Sequence, residues 1–457
     1  MVRQDLRTYE EAVEYLLNIP RFTKKNSMED TKAFLKRLGD PDKDLRILHV
    51  AGTNGKGSVC AYLRCMCEAA GLTTCVFTSP HLVDVRERFL IRGEMISKER
   101  FLEAFLAVYD KIPWDVLSKE DPFDEAGTLP EGFYHPTFFE YLFFMAMVLF
   151  REEAPDVCIL ETGLGGRLDA TNAVSKKELS VITRISLDHM EYLGDTPELI
   201  AAEKAGIMAK GVPAVYLAAD EGVTKVFEEA AAKTGAIPCP LTKEDYSLQK
   251  FQNKNIDFSL HTRYYKDISV TLHTYALYQM ENAALAVRAL EAWDRGRTFT
   301  AEHVKAGLAN CVWPGRMEEV SDRVFVDGAH NEDGVRAFLE SVRADRQKGE
   351  AILLFSAVKD KQYDKMMEEI LSSGLFTKLY LVPLHSGRAT SLETLKDLAV
   401  RLAGDRDVRI GTFDDVQGAM KTLLSQKKES ERLYVAGSLY LVGEVKACLG
   451  VLKDDQL

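Results

Sequence analysis

The stretch Leu45-Arg46-Ile47-Leu48-His49-Val50-Ala51-Gly52-Thr53-Asn54-Gly55-Lys56-Gly57-Ser58 decides the fold. An apolar run of strand type, Leu45 to Val50, passes into a glycine-rich turn, and the turn opens a helix, Ser58 to Ala70, that Gly71 stops. Strand, glycine turn and helix in that order form a phosphate loop. Its glycines let backbone N–H groups converge on phosphate oxygens, the helix N-terminus adds its dipole, and Lys56 brings a positive charge to the β and γ phosphates. Gly52, Thr53, Asn54, Gly55, Lys56, Gly57 and Ser58 are therefore read as ATP-binding, with Lys56 also catalytic. The usual G-x-x-x-x-G-K-[ST] pattern would place glycine where this chain has Val50 and a hydroxyl where it has Gly57. Ser58 becomes the first candidate for the hydroxyl that touches Mg2+.

Outward from the loop, short runs rich in Val, Ile and Leu alternate with longer helical patterns, the rhythm of a mostly parallel sheet wrapped by helices. Strands are expected at Thr73 to Thr78, Asp156 to Glu161, Leu179 to Ile185 and Pro213 to Leu217. The polar, aromatic stretch Tyr246 to His273 suggests antiparallel strands at an edge. Helices at about Tyr275 to Asp294 and Ala301 to Asn310 end at Trp313-Pro314-Gly315-Arg316, a breaker signal. Beyond it βα units restart, with strands near Val324, Ile352, Leu379, Val408 and Leu433. The fold class expected is α/β: a phosphate-loop domain with a mostly parallel sheet over 1–312, a linker at 313–320, and a smaller doubly wound α/β domain over 321–457.

Composition agrees with a globular chain, 46% hydrophobic and 28% charged over 457 residues. A net charge of −12 argues against a sequence-independent nucleic-acid binder, which needs a basic surface. The start, Met1-Val2-Arg3-Gln4-Asp5, lacks the apolar core of a signal peptide. The most apolar stretch, Phe138 to Phe150, is interrupted by Glu140 and falls short of the ~20 residues that span a bilayer. The eight cysteines contain no C-x-x-C pair and read as reduced core thiols. These features lead to the expectation of a cytoplasmic protein, monomeric, that binds small molecules and neither nucleic acid nor membrane.

A metal-binding carboxylate is expected at the end of a neighbouring strand, and Val157-Cys158-Ile159-Leu160-Glu161 supplies one at the carboxyl edge where such sheets bind ligands. The run that follows, Thr162-Gly163-Leu164-Gly165-Gly166-Arg167-Leu168-Asp169-Ala170-Thr171-Asn172, is not a dinucleotide fingerprint, because G-x-G-x-x-G would need glycine at Leu168.

Taken in order, the loop Gly52 to Ser58, Ser79-Pro80-His81-Leu82, Glu161 to Asn172, Asp188-His189, Glu203-Lys204-Ala205-Gly206, Trp313 to Arg316, Asp327-Gly328-Ala329-His330-Asn331 and Gly437-Ser438-Leu439-Tyr440 resemble the folylpolyglutamate synthase and dihydrofolate synthase family, relatives of the Mur peptide ligases. The resemblance implies an ATP-dependent amide ligase, with its active site between two domains. It would join glutamate to a pterin-bearing carboxylic acid, a folate with dihydropteroate as a further candidate, through an acyl phosphate made from MgATP. Two alternatives are a Mur-type enzyme acting on a cell-wall nucleotide and a phosphate-loop ATPase switch.

By the same resemblance, Glu161 and Ser79 are ligands of one Mg2+, and His189 of a second. Lys204 is the lysine that can carry CO2 as a carbamate and so serve that second metal. Asn282, Arg316 and Asp327 are nucleotide contacts. His330 attends glutamate or the transferring phosphoryl group, and Ser438 the α-carboxylate of glutamate. Asp169 is matched to the pterin-recognising carboxylate and Phe139 to an aromatic packed on the rings. Arg88 and Arg388, with Arg86, are candidates for carboxylate binding.

Overall fold

The structure, a computed structural model, describes residues 4–19, 26–114, 134–295, 297–345 and 350–454. Eight strands form the first sheet: β1 (Ile47–Ala51), β2 (Thr74–Phe77), β3 (Phe89–Ile91), β4 (Glu94–Met95), β5 (Val157–Glu161), β6 (Leu179–Ile182), β7 (Pro213–Leu217) and β8 (Ile237–Leu241). Their order is β4-β3-β2-β5-β1-β6-β7-β8. Six are parallel, and β3 and β4 form an antiparallel edge.

The central strands are mostly apolar because both faces are covered, with His49, Glu161 and Ser180 as buried polar exceptions. Ile47, Cys158 and Leu160 point to one core, built with the helices Lys98–Tyr109 and Phe138–Glu153. Leu48, Val50 and Ile159 point to the other, built with the helices Lys56–Ala69, Gln279–Asp294 and Ala301–Ala309. Phe138–Glu153 is thus the buried helix its composition suggests, and no helix among the described residues is long and apolar enough to cross a membrane. At the far edge, Pro238 and Pro240 remove N–H donors from β8 and so discourage pairing with another chain.

The aromatic stretch does form antiparallel strands, β9 (Tyr246–Gln252), β10 (Asn255–Leu260) and β11 (Ile268–Leu272), but as a sheet of its own rather than an edge of the first. Ile256, Phe258 and Val270 of that sheet join the core beneath the helix Gln279–Asp294. The last sheet holds β12 (Glu318–Ser321), β13 (Val324–Val326), β14 (Ala351–Phe355), β15 (Lys378–Leu381), β16 (Arg409–Thr412) and β17 (Arg432–Ala436), in the order β12-β13-β17-β14-β15-β16. All its pairings are parallel except β12 with β13. The mixed α/β class is as expected; β12, which begins inside the segment expected to be a linker, is the addition.

Candidate active site

The carboxyl ends of β1, β2, β5 and β6 face the last sheet across a cavity of about 310 Å3. The phosphate loop forms one wall of it. Gly52 (φ 146) lies so close to β6 that a Cβ would stand 1.8 Å from Thr183 Oγ1, and Gly55 (φ 93) opens the helix Lys56–Ala69 in a left-handed conformation that favours glycine. Thr53 N and Asn54 N both donate to Arg184 O, at 2.9 and 3.2 Å. Lys56 Nζ donates to Gly52 O and Thr53 O, each at 3.1 Å, which holds the ammonium over the loop.

The two departures from the common loop pattern have local causes. Val50 is fully buried in the core beneath β1, where a glycine would leave a hole. Gly57 packs against the Trp313 indole, and a Cβ there would stand 2.7 Å from Cζ2. Gly57→Ala is therefore expected to push the ring off the loop and raise KM for MgATP about tenfold, measured by steady-state kinetics. The hydroxyl of Ser58 is buried and accepts a bond from Gln279 Nε2 at 3.0 Å.

Glu161 ends β5 at 3% exposure, and its Oε2 accepts from Ser79 N at 3.1 Å. Burial pushes its carboxyl up; Lys56 opposes this, as does the Ser79 hydrogen bond. Oε1 accepts no hydrogen bond among the described residues, an arrangement that suits a divalent cation beside a triphosphate. No group of three or more His, Cys, Asp or Glu among the described residues is arranged to hold a metal ion. Mg2+, which keeps waters and takes phosphate oxygens, does not require such a group.

His189 occupies a left-handed position (φ 50) at the start of the helix Met190–Leu193. Burial pushes its imidazole down to about 4, although Asp188 pulls the other way, so at neutral pH it offers a lone pair. Lys204 is 4% exposed and donates to Gly52 O at 2.8 Å. Burial, with Lys56 nearby, pushes its ammonium down to about 7.

Opposite stand the residues of the last sheet. His330 Nδ1 bonds Gly328 O at 2.7 Å, and its Nε2 lies 3.6 Å from Asp188. Arg316 crosses Gly328, where a Cβ would meet Nη1 at 2.1 Å. Ser438 and Arg388 complete that wall; Ser438 Oγ accepts from Tyr440 N at 3.1 Å, capping the helix Leu439–Asp454, and Arg388 is ion-paired with Asp360. Asn282 fills the space over Gly55, its Oδ1 only 2.2 Å from where a Cβ would lie. Asp327 lines the cavity too, but its carboxylate accepts from Tyr278 Oη (2.6 Å), Met317 N (2.9 Å) and Ala329 N (2.8 Å). It ties a helix of the first region to the start of the second.

Four expected substrate contacts, Asp169, Phe139, Arg88 and Arg86, lie outside the cavity walls. Asp169 is 5% exposed; Oδ2 accepts from Gly163 N and Leu164 N, at 2.9 and 2.8 Å, and Oδ1 from Thr171 N and Oγ1. Burial pushes its carboxyl up, and these four donors, all favouring the charged form, oppose that. Both carboxylate oxygens thus hold the loop after β5. Asp169→Ala is expected to lower stability by about 3 kcal/mol, read from a denaturant midpoint, because it strands buried N–H donors. Phe139 covers Gly163, whose Cβ would stand 2.6 Å from the ring, and packs on Phe77 at 5.6 Å between centroids. Arg88, at 7% exposure, donates to His81 Nδ1 at 2.9 Å and sits behind that wall residue. Arg86 is bonded to Asp84 at 2.7 Å.

In the glycine run after β5, Gly163 and Gly165 line the cavity, while Gly166 packs behind it. Gly166 meets the helix Pro197–Ala205, where a Cβ would stand 2.8 Å from Glu203 O, and that contact sets the height of Lys204.

Sequence reasoning assigned no role to the pair that bridges the cavity. Lys361, with a side chain 7% exposed, is ion-paired with Asp188 and lies 3.3 Å from His189 Nε2. Burial would raise the Asp188 carboxyl; His330, Lys361 and His189 outweigh it and hold the group well below the carboxylate range. A second bridge is reciprocal: Asn54 Nδ2 donates to Asn331 Oδ1 at 3.1 Å and Asn331 Nδ2 to Asn54 Oδ1 at 3.0 Å. The Asp188-His189 and Asn331 motifs were visible in the sequence. Lys361, in Lys359-Asp360-Lys361, belongs to none of those motifs.

Comparison with known proteins agrees with this geometry. Residues 135–290 match the Mur ligase middle domain, and 315–439 the Mur ligase glutamate ligase domain. The dihydrofolate synthase/folylpolyglutamate synthase of Bacillus subtilis is 32% identical over 450 residues, covering 96% of this chain and 98% of that protein. The folylpolyglutamate synthase of Lacticaseibacillus casei is 28% identical, with 96% and 98% covered. Among solved structures, E. coli FolC in complex with DHPP and ADP superposes with a TM-score of 0.83 at 27% identity over 100% of both chains. Mycobacterium tuberculosis folylpolyglutamate synthase complexed with ADP gives 0.85 at 25%, over 97% of this chain and 98% of that one. With a relative above 30% identity matched along nearly its whole length, this chain belongs to the folylpolyglutamate synthase/dihydrofolate synthase family of Mur-type ligases.

Proposed function

We propose that this protein is an ATP-dependent ligase that adds L-glutamate to a folate, with dihydropteroate as a second acid substrate. The observation that carries the reading is one cavity with a phosphate loop and a half-satisfied buried carboxylate on one wall and cationic and hydroxyl groups on the other. Gly52 to Ser58, Asn282, Arg316 and Asp327 hold ATP. Lys56 faces the β and γ phosphates and stabilises charge as the phosphoryl group passes to the substrate carboxylate. Glu161 and Ser79, with Ser58 as a further candidate, would hold Mg2+, which would neutralise phosphate charge, and His189 with a carbamylated Lys204 would hold a second ion. The substrate carboxylate oxygen attacks the γ-phosphorus and expels ADP, which leaves the carboxyl carbon activated as an acyl phosphate. The glutamate amine then attacks that carbon and phosphate departs.

His330, Arg388 and Ser438 face this step from the last sheet and are assigned to glutamate. Phe139 and Arg88, one layer behind the wall, support the acid-binding side rather than touch it in this geometry, and Asp169 shapes its loop. A monomeric, cytoplasmic enzyme is part of the proposal. ADP release should be followed with MgATP and glutamate while dihydropteroate, tetrahydrofolate and a folate lacking its terminal glutamate are compared. Stimulation by at least one is expected; silence with all three would overturn the folate assignment and return a cell-wall nucleotide or a plain ATPase to consideration.

A further inference from the structure

Two half-buried thiols that take no part in this chemistry meet behind the phosphate loop. Cys65 lies on the helix Lys56–Ala69, and Cys311 follows the helix Ala301–Ala309. The helices touch backbone to backbone: a Cβ on Gly307 would stand 2.5 Å from Met66 Cα and 2.9 Å from the Cys65 carbonyl carbon. Cys311 N bonds Leu308 O at 3.4 Å, so the chain keeps turning against the neighbouring helix and packs into the core that holds Tyr62 and Met66. There the Cys65 and Cys311 thiols lie close enough to influence each other's ionisation.

The other cysteines do not offer the same combination. Cys75 and Cys158 are neighbours across β2 and β5, but both are fully buried and out of reach of a solvent oxidant. Cys60 and Cys67 are buried as well.

We propose that Cys65 and Cys311 form a dithiol modification site, oxidised to a disulfide by low-molecular-weight disulfides of the glutathione class. Its neighbour Cys311, helped by Arg64, pulls the Cys65 thiol down, while Cys65 and burial push Cys311 up. Cys65 is therefore the attacking thiolate. It displaces one glutathione thiolate from oxidised glutathione and forms a mixed disulfide. The Cys311 thiol loses its proton to solvent and attacks the Cys65 sulfur, expelling the second glutathione. Two protein thiols and one oxidised glutathione thus give one protein disulfide and two reduced glutathiones.

Oxidation reaches the nucleotide site through two residues. Trp313 follows Cys311 by two positions and already abuts Gly57. Closing the sulfurs to about 2.05 Å shifts the segment that carries Trp313 and so disturbs the indole's contact with the loop. The oxidised protein accordingly binds ADP severalfold more weakly.

The full chain should be incubated with oxidised glutathione, then read by intact mass, peptide mapping and ADP calorimetry. Expected are a loss of about 2 Da, a cross-linked peptide pair containing Cys65 and Cys311, and weaker ADP binding, all reversed by dithiothreitol. In Cys311→Ser, Cys65 should retain a glutathione adduct. A wild-type protein that carries only adducts without the cross-link, or a cross-link that leaves ADP affinity unchanged, would overturn the proposal. ADP binding and mass do not depend on which acid is glutamylated, so failure here is distinct from failure of the ligase reading.

Discussion

Lys56→Met is expected to lower kcat by about 100- to 1,000-fold while ADP binding persists. The Lys56 ammonium is held by two backbone carbonyls, Gly52 O and Thr53 O, and not by a carboxylate, so its charge stays available to a phosphate. Methionine preserves the length and apolar stem and deletes only the charge. Because the developing charge is on the transferring phosphoryl oxygens, the loss falls mainly on kcat, and the backbone N–H groups of the loop still grip the nucleotide. Steady-state kinetics beside ADP calorimetry separate the two. An unchanged kcat would remove Lys56 from the chemistry.

Lys204→Ala is expected to abolish turnover, with partial recovery when a short carboxylic acid is added. A lysine only 4% exposed, donating to Gly52 O and pushed down to about 7, is poorly suited to a fixed cation. It is well suited to reaction with CO2, which needs the neutral amine. The neutral fraction is small below pH 7 and large above it, so stimulation by bicarbonate should grow as pH rises through about 7. The carbamate would turn a cation beside Lys56 into an anionic oxygen donor, and the added acid would mimic that group in the variant. Turnover of wild-type and variant, with and without acid, checks this. Full activity in Lys204→Ala would contradict the carbamate role.

Much of this was legible in the sequence where local chemistry and position coincide. A buried strand running into glycines and a helix has few other uses, and Leu45 to Ser58 folds as read, with β1 shifted to Ile47–Ala51. Glu161 follows from the end of an apolar strand, and the second sheet from renewed βα rhythm. What escaped depends on contacts far apart in the chain. Gly57 is glycine because Trp313 lies on it, 256 positions away by subtraction of their numbers. Asp169 has the chemistry of a pterin acceptor, yet its loop closes around it and uses both oxygens. Lys361 becomes a site residue only because the last sheet carries it to Asp188. The strands β9 to β11 were identifiable by composition, but their separation from the first sheet was set by packing on the helix Gln279–Asp294.

Carboxylate activation at this cavity has a direct isotopic signature. The protein should be incubated with MgATP, glutamate and an accepted folate whose reacting carboxylate carries oxygen-18, and the released phosphate analysed by mass or by phosphorus NMR. The proposed route transfers one labelled oxygen to phosphate for each amide formed. Unlabelled phosphate accompanying labelled amide would contradict it, because ATP would then have been hydrolysed without phosphorylating the acid.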